Sequence, residues 1–153
     1  MTSPTPDASR SVHLTRVGPG AFRITNAAGG TLDVGVSDGD FSPVELLLAA
    51  LAGCAAINVE ELTGRRAEPS RFDVRAEGQK VRDESGGRME DLRLVFDTVF
   101  PEGGGGDAAR ASLPRFLKQT HDRICTVSRT VGLGSDVSYE LAEPEPGPAA
   151  SGA

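Results

Sequence analysis

Two side chains carry the reactive chemistry of this sequence: Cys54 and Cys125, the only cysteines in 153 residues. A thiolate can serve as a nucleophile, a metal ligand or half of a disulfide, and its surroundings decide which. Structural zinc needs four ligands. The only histidines, His13 and His121, have no paired spacing with the cysteines, so neither a metal nor a bound cofactor is expected. Two widely separated thiols are then either inert core residues or a redox pair, and composition alone leaves both open.

Cys54 sits in the apolar run LLLAALAGCAAINVEEL. A single cysteine there reads first as a small hydrophobe. Gly53 beside it points the other way, because glycine inside a helix marks close approach by another segment or ligand. Cys125 lies between Arg123 and Arg129, just ahead of a short segment from Thr126 to Val131. Positive charge and a helix N-terminus both favour the thiolate. His121, four residues before Cys125, reads as a packed, hydrogen-bonded histidine and receives no catalytic role.

The elements that must position these thiols are legible. Ser42 can cap a helix whose first residue is Pro43, and Glu45 at the third position completes a capping box. Phe41 and Leu46 are spaced for a hydrophobic staple. The helix then runs to Gly64, apolar on every side in its middle, which predicts burial on all faces in the core or a subunit interface. Upstream, Val12 to Val17 and Ala21 to Thr25 flank Gly18-Pro19-Gly20 and predict a hairpin. Leu32, Val34 and Val36 alternate as a third strand. Downstream, strands are predicted over Phe72 to Val81 and Leu92 to Phe100, joined through the turn at Ser85-Gly86-Gly87. Pro101 to Asp107 reads as a flexible loop, and Ser135 to Leu141 as a closing strand. A second helical region spans Asp107 to Ile124, with Leu113, Phe116, Leu117, Thr120 and Ile124 as its inner stripe. Pro114 places the regular helix from Ser112 onward. Strands in hairpin clusters, not βαβ repeats, give an α+β class.

Residues Ser42 to Cys54 (SPVELLLAALAGC) resemble the hallmark segment of the OsmC/Ohr family. Cys125 to Arg129 (CTVSR) is similar to that family's Cys-Pro-Val-Ser-Arg segment. The resemblance covers about residues 12 to 142, with the two cysteines 71 apart. It implies an intertwined homodimer with antiparallel sheets packed around a long buried central helix. It also implies a thiol-dependent peroxidase for organic hydroperoxides, regenerated by an external dithiol reductant, in oxidative-stress defence. Carried over by position, Cys54 is the peroxidatic nucleophile and Cys125 the resolving thiol. The apolar neighbours Leu47, Leu51 and Ile57 would suit a fatty or aromatic peroxide.

The departures from the family pattern are specific. Hydroperoxidases of the family carry glutamate directly after the proline, where this chain has Val44. Glu45 comes one place later, so the pattern is that of a Pro-x-Glu branch. At about 100° per residue, Glu45 and Cys54 point to opposite sides of the helix, and the capping box already accounts for Glu45. Asn58 and Glu61 return to the side of Cys54 and read as ordinary polar positions near a helix end. The family's thiolate-stabilising arginine comes from the N-terminal strands, where Arg16 and Arg23 are the candidates, with Arg129 as a third. Thr126 stands where the family has proline. A second reading follows from the missing Pro-Glu: a redox-sensitive or small-molecule-binding dimer of the same fold without peroxidase turnover.

Composition bounds the rest. The chain is 38% hydrophobic and 25% charged, which fits one soluble globular domain and excludes collagen-like or wholly disordered chains. A net charge of −6 repels phosphate backbones, so no nucleic-acid partner is expected. The longest apolar run, Leu46 to Ile57, has twelve residues, too few to cross a bilayer, so no membrane association is expected. No signal peptide is recognisable, and a cytoplasmic protein is expected. Residues 1–11 and 143–153 read as disordered tails around one domain at 12–142.

Overall fold

The computed structural model describes residues 9–142. Most of the two predicted tails therefore lies outside the described residues. The chain opens with three antiparallel strands in sequence order, β1 (Val12–Gly18), β2 (Ala21–Asn26) and β3 (Thr31–Gly35). The turn between β1 and β2 uses Gly20 at φ 66°, a conformation natural to glycine. Register sets the two faces of this meander. Leu14, Ile24 and Leu32 stand in one cross-strand row, and Arg16, Phe22 and Val34 in the next but one. The opposite face carries His13 with Thr25, and Arg23 with Asp33. One face is thus apolar apart from Arg16 and, at its end, Asn26, and the other is mainly polar.

Helix α1 (Pro43–Gly64) starts where the sequence predicts. The Glu45 backbone N–H donates to Ser42 Oγ at 3.3 Å, and the Ser42 N–H donates to the Glu45 carboxylate at 2.8 Å. This reciprocal pair satisfies two donors that a helix end would otherwise leave open. Leu51, Ala55, Val59 and Thr63, each four residues apart, form the buried stripe of α1. Burial on all faces is not met within one chain. Ile57 is 67% exposed, and a Cβ built on Gly53 would have no neighbour within 4 Å. The 22-residue helix is long and apolar enough, at mean hydropathy 1.5, to span a bilayer by composition, which corrects the count of the apolar run alone. Its buried stripe and its contacts with the hairpin and the helices that follow it make it the core helix of the domain.

Strands β4 (Arg71–Asp83) and β5 (Gly86–Val99) form a long antiparallel hairpin that packs on α1. Register slips at Gly78, where a side chain would collide with Leu92 Cδ2 at 2.7 Å and the Glu90 carbonyl at 3.1 Å. Phe72 and Phe96 meet edge to face at 6.1 Å.

The PEGGGGD run is not a flexible loop through Asp107. Helix α2 (Gly104–Gln119) begins inside it. Gly105 and Gly106 are required by close approach. A Cβ on Gly106 would lie 1.8 Å from the Pro101 carbonyl oxygen, and one on Gly105 2.7 Å from that of Arg66. Nor does Pro114 delay the helix to Ser112; α2 continues through it. Proline removes one N–H, the donor to the Arg110 carbonyl, and the flanking turns hold the path. Phe116, 4% exposed, anchors α2 against the core beneath the Arg66 guanidinium.

The last predicted strand, Ser135 to Leu141, does not form: the segment has no regular secondary structure and no strand partner among the described residues. Val137, Tyr139 and Leu141 alternate along it and are 75%, 95% and 99% exposed. The pattern is that of a strand, and a strand without a neighbour has no ladder. The fold is α+β with antiparallel sheets, as expected from the order of elements.

Candidate active site

Both thiols meet at the start of a short helix, α3 (Thr126–Leu133). After α2 the chain passes through one π-helical turn, Thr120–Ile124, closed by the Cys125 N–H on the Thr120 carbonyl at 2.9 Å. Such wide turns recur at functional sites because they re-aim the next residue. Here the next residue is Cys125, which leaves the helix at φ −69°, ψ 103° and caps α3. Its sulfur accepts from the Ser128 backbone N–H at 3.4 Å and from Ser128 Oγ at 3.2 Å. This is ordinary N-cap geometry with sulfur in place of oxygen.

Cys54 reaches the same place from the middle of α1, which packs on α3. Its thiol is half-buried and lies next to Cys125 and the first backbone N–H groups of α3, those of Thr126 and Val127. Asn58 Nδ2 lies 3.7 Å from Cys54 Sγ and donates to the Cys54 carbonyl at 2.7 Å. Both thiols are reduced.

The two sulfurs differ in charge preference. Burial pushes the Cys54 thiol up, and its neighbour Cys125 adds to that rise against the opposing N–H groups of α3. Burial also works against the Cys125 thiolate. The hydrogen bonds from Ser128, with neighbouring Cys54 and the α3 backbone, outweigh it, and the Cys125 thiol is held below its ordinary value. Cys125 is at the same time completely buried, whereas Cys54 keeps access.

An apolar cavity of about 360 Å³ lies between α1, the β4–β5 hairpin, α2 and α3, and neither cysteine is among the residues that line it. Leu48, Leu51, Leu92, Phe96, Leu117 and Val131 line it, and Ser128 stands in its wall. Thr120 also borders it, with a buried hydroxyl that has no hydrogen-bond partner. Of the three apolar neighbours expected around the nucleophile, Leu51 lines this cavity, while Leu47 and Ile57 do not, and Ile57 faces outward.

The sequence profile described as OsmC-like protein matches residues 36–140. The chain belongs to the OsmC-like protein family. Solved structures share the fold at low identity. An OsmC-like protein of unknown function from Vibrio cholerae superposes with a TM-score of 0.69 at 14% identity, over 81% of this chain and 94% of that one. An OsmC-like protein from Mycoplasma pneumoniae gives 0.67 at 12%, over 83% and 89%. The organic hydroperoxide resistance protein OhrB of Bacillus subtilis gives 0.54 at 19%, over 82% and 92%. No curated protein matches the chain in sequence.

The remaining candidate residues of this OsmC-like protein lie away from the thiols. Arg23 pairs with Asp33 at 2.8 Å on the polar face of the meander. Arg129 donates to the Asp122 carbonyl at 2.9 Å. Arg16 stands on the apolar face of the meander. Among the described residues, no arginine is hydrogen-bonded to either sulfur. The Glu45 carboxylate is committed to the cap of α1. His121 is not packed; its side chain is 81% exposed and hydrogen-bonded to Asp122 at 2.9 Å. Glu61 pairs with Arg65. Ser128 is the site residue that sequence reasoning missed. Its signal was the Cys-x-x-Ser spacing, which puts a hydroxyl and an N–H at the third helical position behind a capping cysteine.

Proposed function

We propose that this protein is a two-cysteine, thiol-dependent peroxidase for organic hydroperoxides. The observation that carries this reading is the proximity of Cys54 and Cys125, residues remote in sequence, with the more accessible sulfur on Cys54. Cys54 attacks the peroxide oxygen and expels an alcohol, leaving a sulfenic acid. Cys125 then condenses with it to a disulfide, releasing water, and an external dithiol reductant reopens the bond. The apolar cavity would hold the body of a fatty or aromatic hydroperoxide. The name of the Bacillus subtilis relative supports the same class of substrate.

The working unit we propose is an intertwined homodimer. The apolar face of the meander, the open side of α1 around Gly53 and the unpaired 135–141 segment are then its contact surfaces. In that assembly a thiolate-stabilising arginine would arrive with the meander of the second copy, and Arg16, on the apolar face, is the better placed of the two strand arginines.

The test is intact mass under thiol-blocking conditions before and after one equivalent of cumene hydroperoxide, followed by steady-state turnover with dithiothreitol. Loss of two hydrogens with a peptide joining Cys54 to Cys125, together with turnover, is expected. The second reading, a redox-sensitive or small-molecule-binding dimer, is favoured by the commitment of Glu45 to the helix cap. It predicts the disulfide without sustained turnover.

A further inference from the structure

Attack by Cys54 requires its sulfur to lose a proton, and nothing so far assigned takes it. The charged groups on the surrounding elements do not touch either sulfur. Glu45 is held in its cap, and Glu60 and Glu61 are exposed on the last turns of α1. Glu77 of β4 pairs with Arg93 of β5 at the cavity wall. On α2 and the π turn, Lys118 and His121 engage Asp122, and Arg123 is exposed. Arg129 of α3 is spent on a carbonyl. Among the described residues, the Cys54 sulfur is within reach of the Asn58 amide at 3.7 Å, and its other polar neighbours are the first backbone N–H groups of α3 and Cys125.

Cys125 is built to hold negative charge. It lies at the N-terminus of α3 with two donors from a single residue, Ser128, at 3.4 and 3.2 Å, and it is sealed from water. Buried thiolates survive only where donors replace the lost solvent. We propose that Cys125 is the resident thiolate of the pair and acts as the base that takes the Cys54 proton during peroxide attack, with Ser128 as its positioning residue. This rests on the peroxidase reading and supplies its missing first step.

The resting pair shares one proton and one negative charge. The Cys54 S–H proton moves to Cys125, and the freed Cys54 lone pair attacks the peroxide oxygen. The O–O bond breaks and the electron pair leaves on the alkoxide, which takes a proton from water. Cys54 is oxidised to the sulfenic acid and the peroxide is reduced to the alcohol. Cys125, now a thiol, attacks the Cys54 sulfur and water leaves with its proton. In sum, the dithiol monoanion and hydroperoxide give disulfide, alcohol and hydroxide. One side chain thus acts first as base and then as resolving nucleophile, standing in for the family carboxylate that Val44 replaces.

The experiment is thiolate absorbance at 240 nm against pH, paired with the rate of Cys54 sulfenic-acid formation from cumene hydroperoxide. Wild-type protein and the variants Cys54→Ser, Cys125→Ser, Ser128→Ala and Ser128→Thr are compared. The expected low-pH thiolate step persists in Cys54→Ser and disappears in Cys125→Ser. In Cys125→Ser, Cys54 oxidation at neutral pH slows at least about tenfold, one pK unit of lost driving force, and recovers as pH rises. Ser128→Ala moves the step upward and slows oxidation at neutral but not alkaline pH, while Ser128→Thr restores both. A purely structural serine would show neither the pH recovery nor the rescue. The proposal is overturned if the step vanishes in Cys54→Ser and Cys125→Ser oxidises at the wild-type rate; the peroxidase reading then stands. If wild-type Cys54 is not oxidised at all, that reading falls and the base role with it.

Discussion

The N-terminal meander and the helix-backed hairpin that follows it are built from similarly patterned strands, yet they differ in what they cover. β4 and β5 lie against α1, and their inner aromatics pack. The meander has an equally apolar face in Leu14, Phe22, Ile24 and Leu32, and no helix of its own chain packs extensively on it. Leu14 is 50% and Leu32 41% exposed. A three-stranded sheet needs a covered face for independent stability. The contrast teaches that the meander's apolar face is left open by its own chain, and it is this face that the proposed homodimer would cover. The open side of α1 and the unpaired segment after α3 make the same statement.

The sharpest way to break that comparison is Leu14→Asp combined with Leu32→Asp. If the meander face were free, two exposed substitutions would each shift stability by no more than about 0.5 kcal/mol. If a second copy covers it, the double variant loses the dimer by sedimentation equilibrium and melts at much lower temperature, with wild-type melting dependent on protein concentration. A monomeric wild-type protein with an unchanged double variant would remove the proposed assembly.

Val59→Ala probes the opposite region and should cost about 2 kcal/mol in urea unfolding, because Val59 is fully buried in the stripe of α1 and truncation leaves a cavity. That cost should not depend on protein concentration beyond the wild-type dependence. A loss below about 0.5 kcal/mol would mean that the core side of α1 is as loosely covered as the meander.

These two regions also mark how far the sequence could be read. The cap at Ser42, the hairpins and both thiols follow from local rules: an Oγ three residues from a carboxylate, alternation at period two, and cysteines in distinct settings. The glycine run at 103–106 was misread because its reason is non-local. Its missing side chains make room for backbone at Pro101 and Arg66, which no window of sequence displays. The π turn before Cys125 was likewise invisible, since its period differs from a helix by one hydrogen bond. The 135–141 segment has a strand's alternation without a ladder, because pairing needs an edge that local pattern cannot supply. At the site, the proximity of the two thiols was not legible from spacing, and Ser128 was passed over because serine near a helix start reads as generic.

A smaller effect separates the two ends of α1. Ser42→Ala should lower stability by about 1 kcal/mol, measured by urea unfolding at neutral pH. The backbone and side-chain donors of Ser42 hold the Glu45 carboxyl below its ordinary value. A depressed carboxyl contributes stability above its unfolded value and loses it as pH falls through the folded one. The wild-type advantage over Glu45→Gln should therefore be present at pH 7 and fade in acid. An advantage unchanged at low pH would show that the cap does not depend on the carboxylate.

The smallest effects on stability are expected from the meander's arginines, and they discriminate most finely between its faces. Arg23 and Asp33 form an exposed cross-strand pair, and such pairs are screened by water, so Arg23→Ala should leave both melting and thiol chemistry unchanged. Arg16 stands with Phe22 and Val34 on the apolar face, where an arginine is useful only if the covering surface offers it an anion. Arg16→Ala should then leave folding intact and slow Cys54 oxidation severalfold at neutral pH, with a parallel rise in the thiolate titration. Equal rates in both variants would mean that the α3 N-terminus and Ser128 hold the thiolate without help from any arginine, and that the meander's apolar face serves assembly alone.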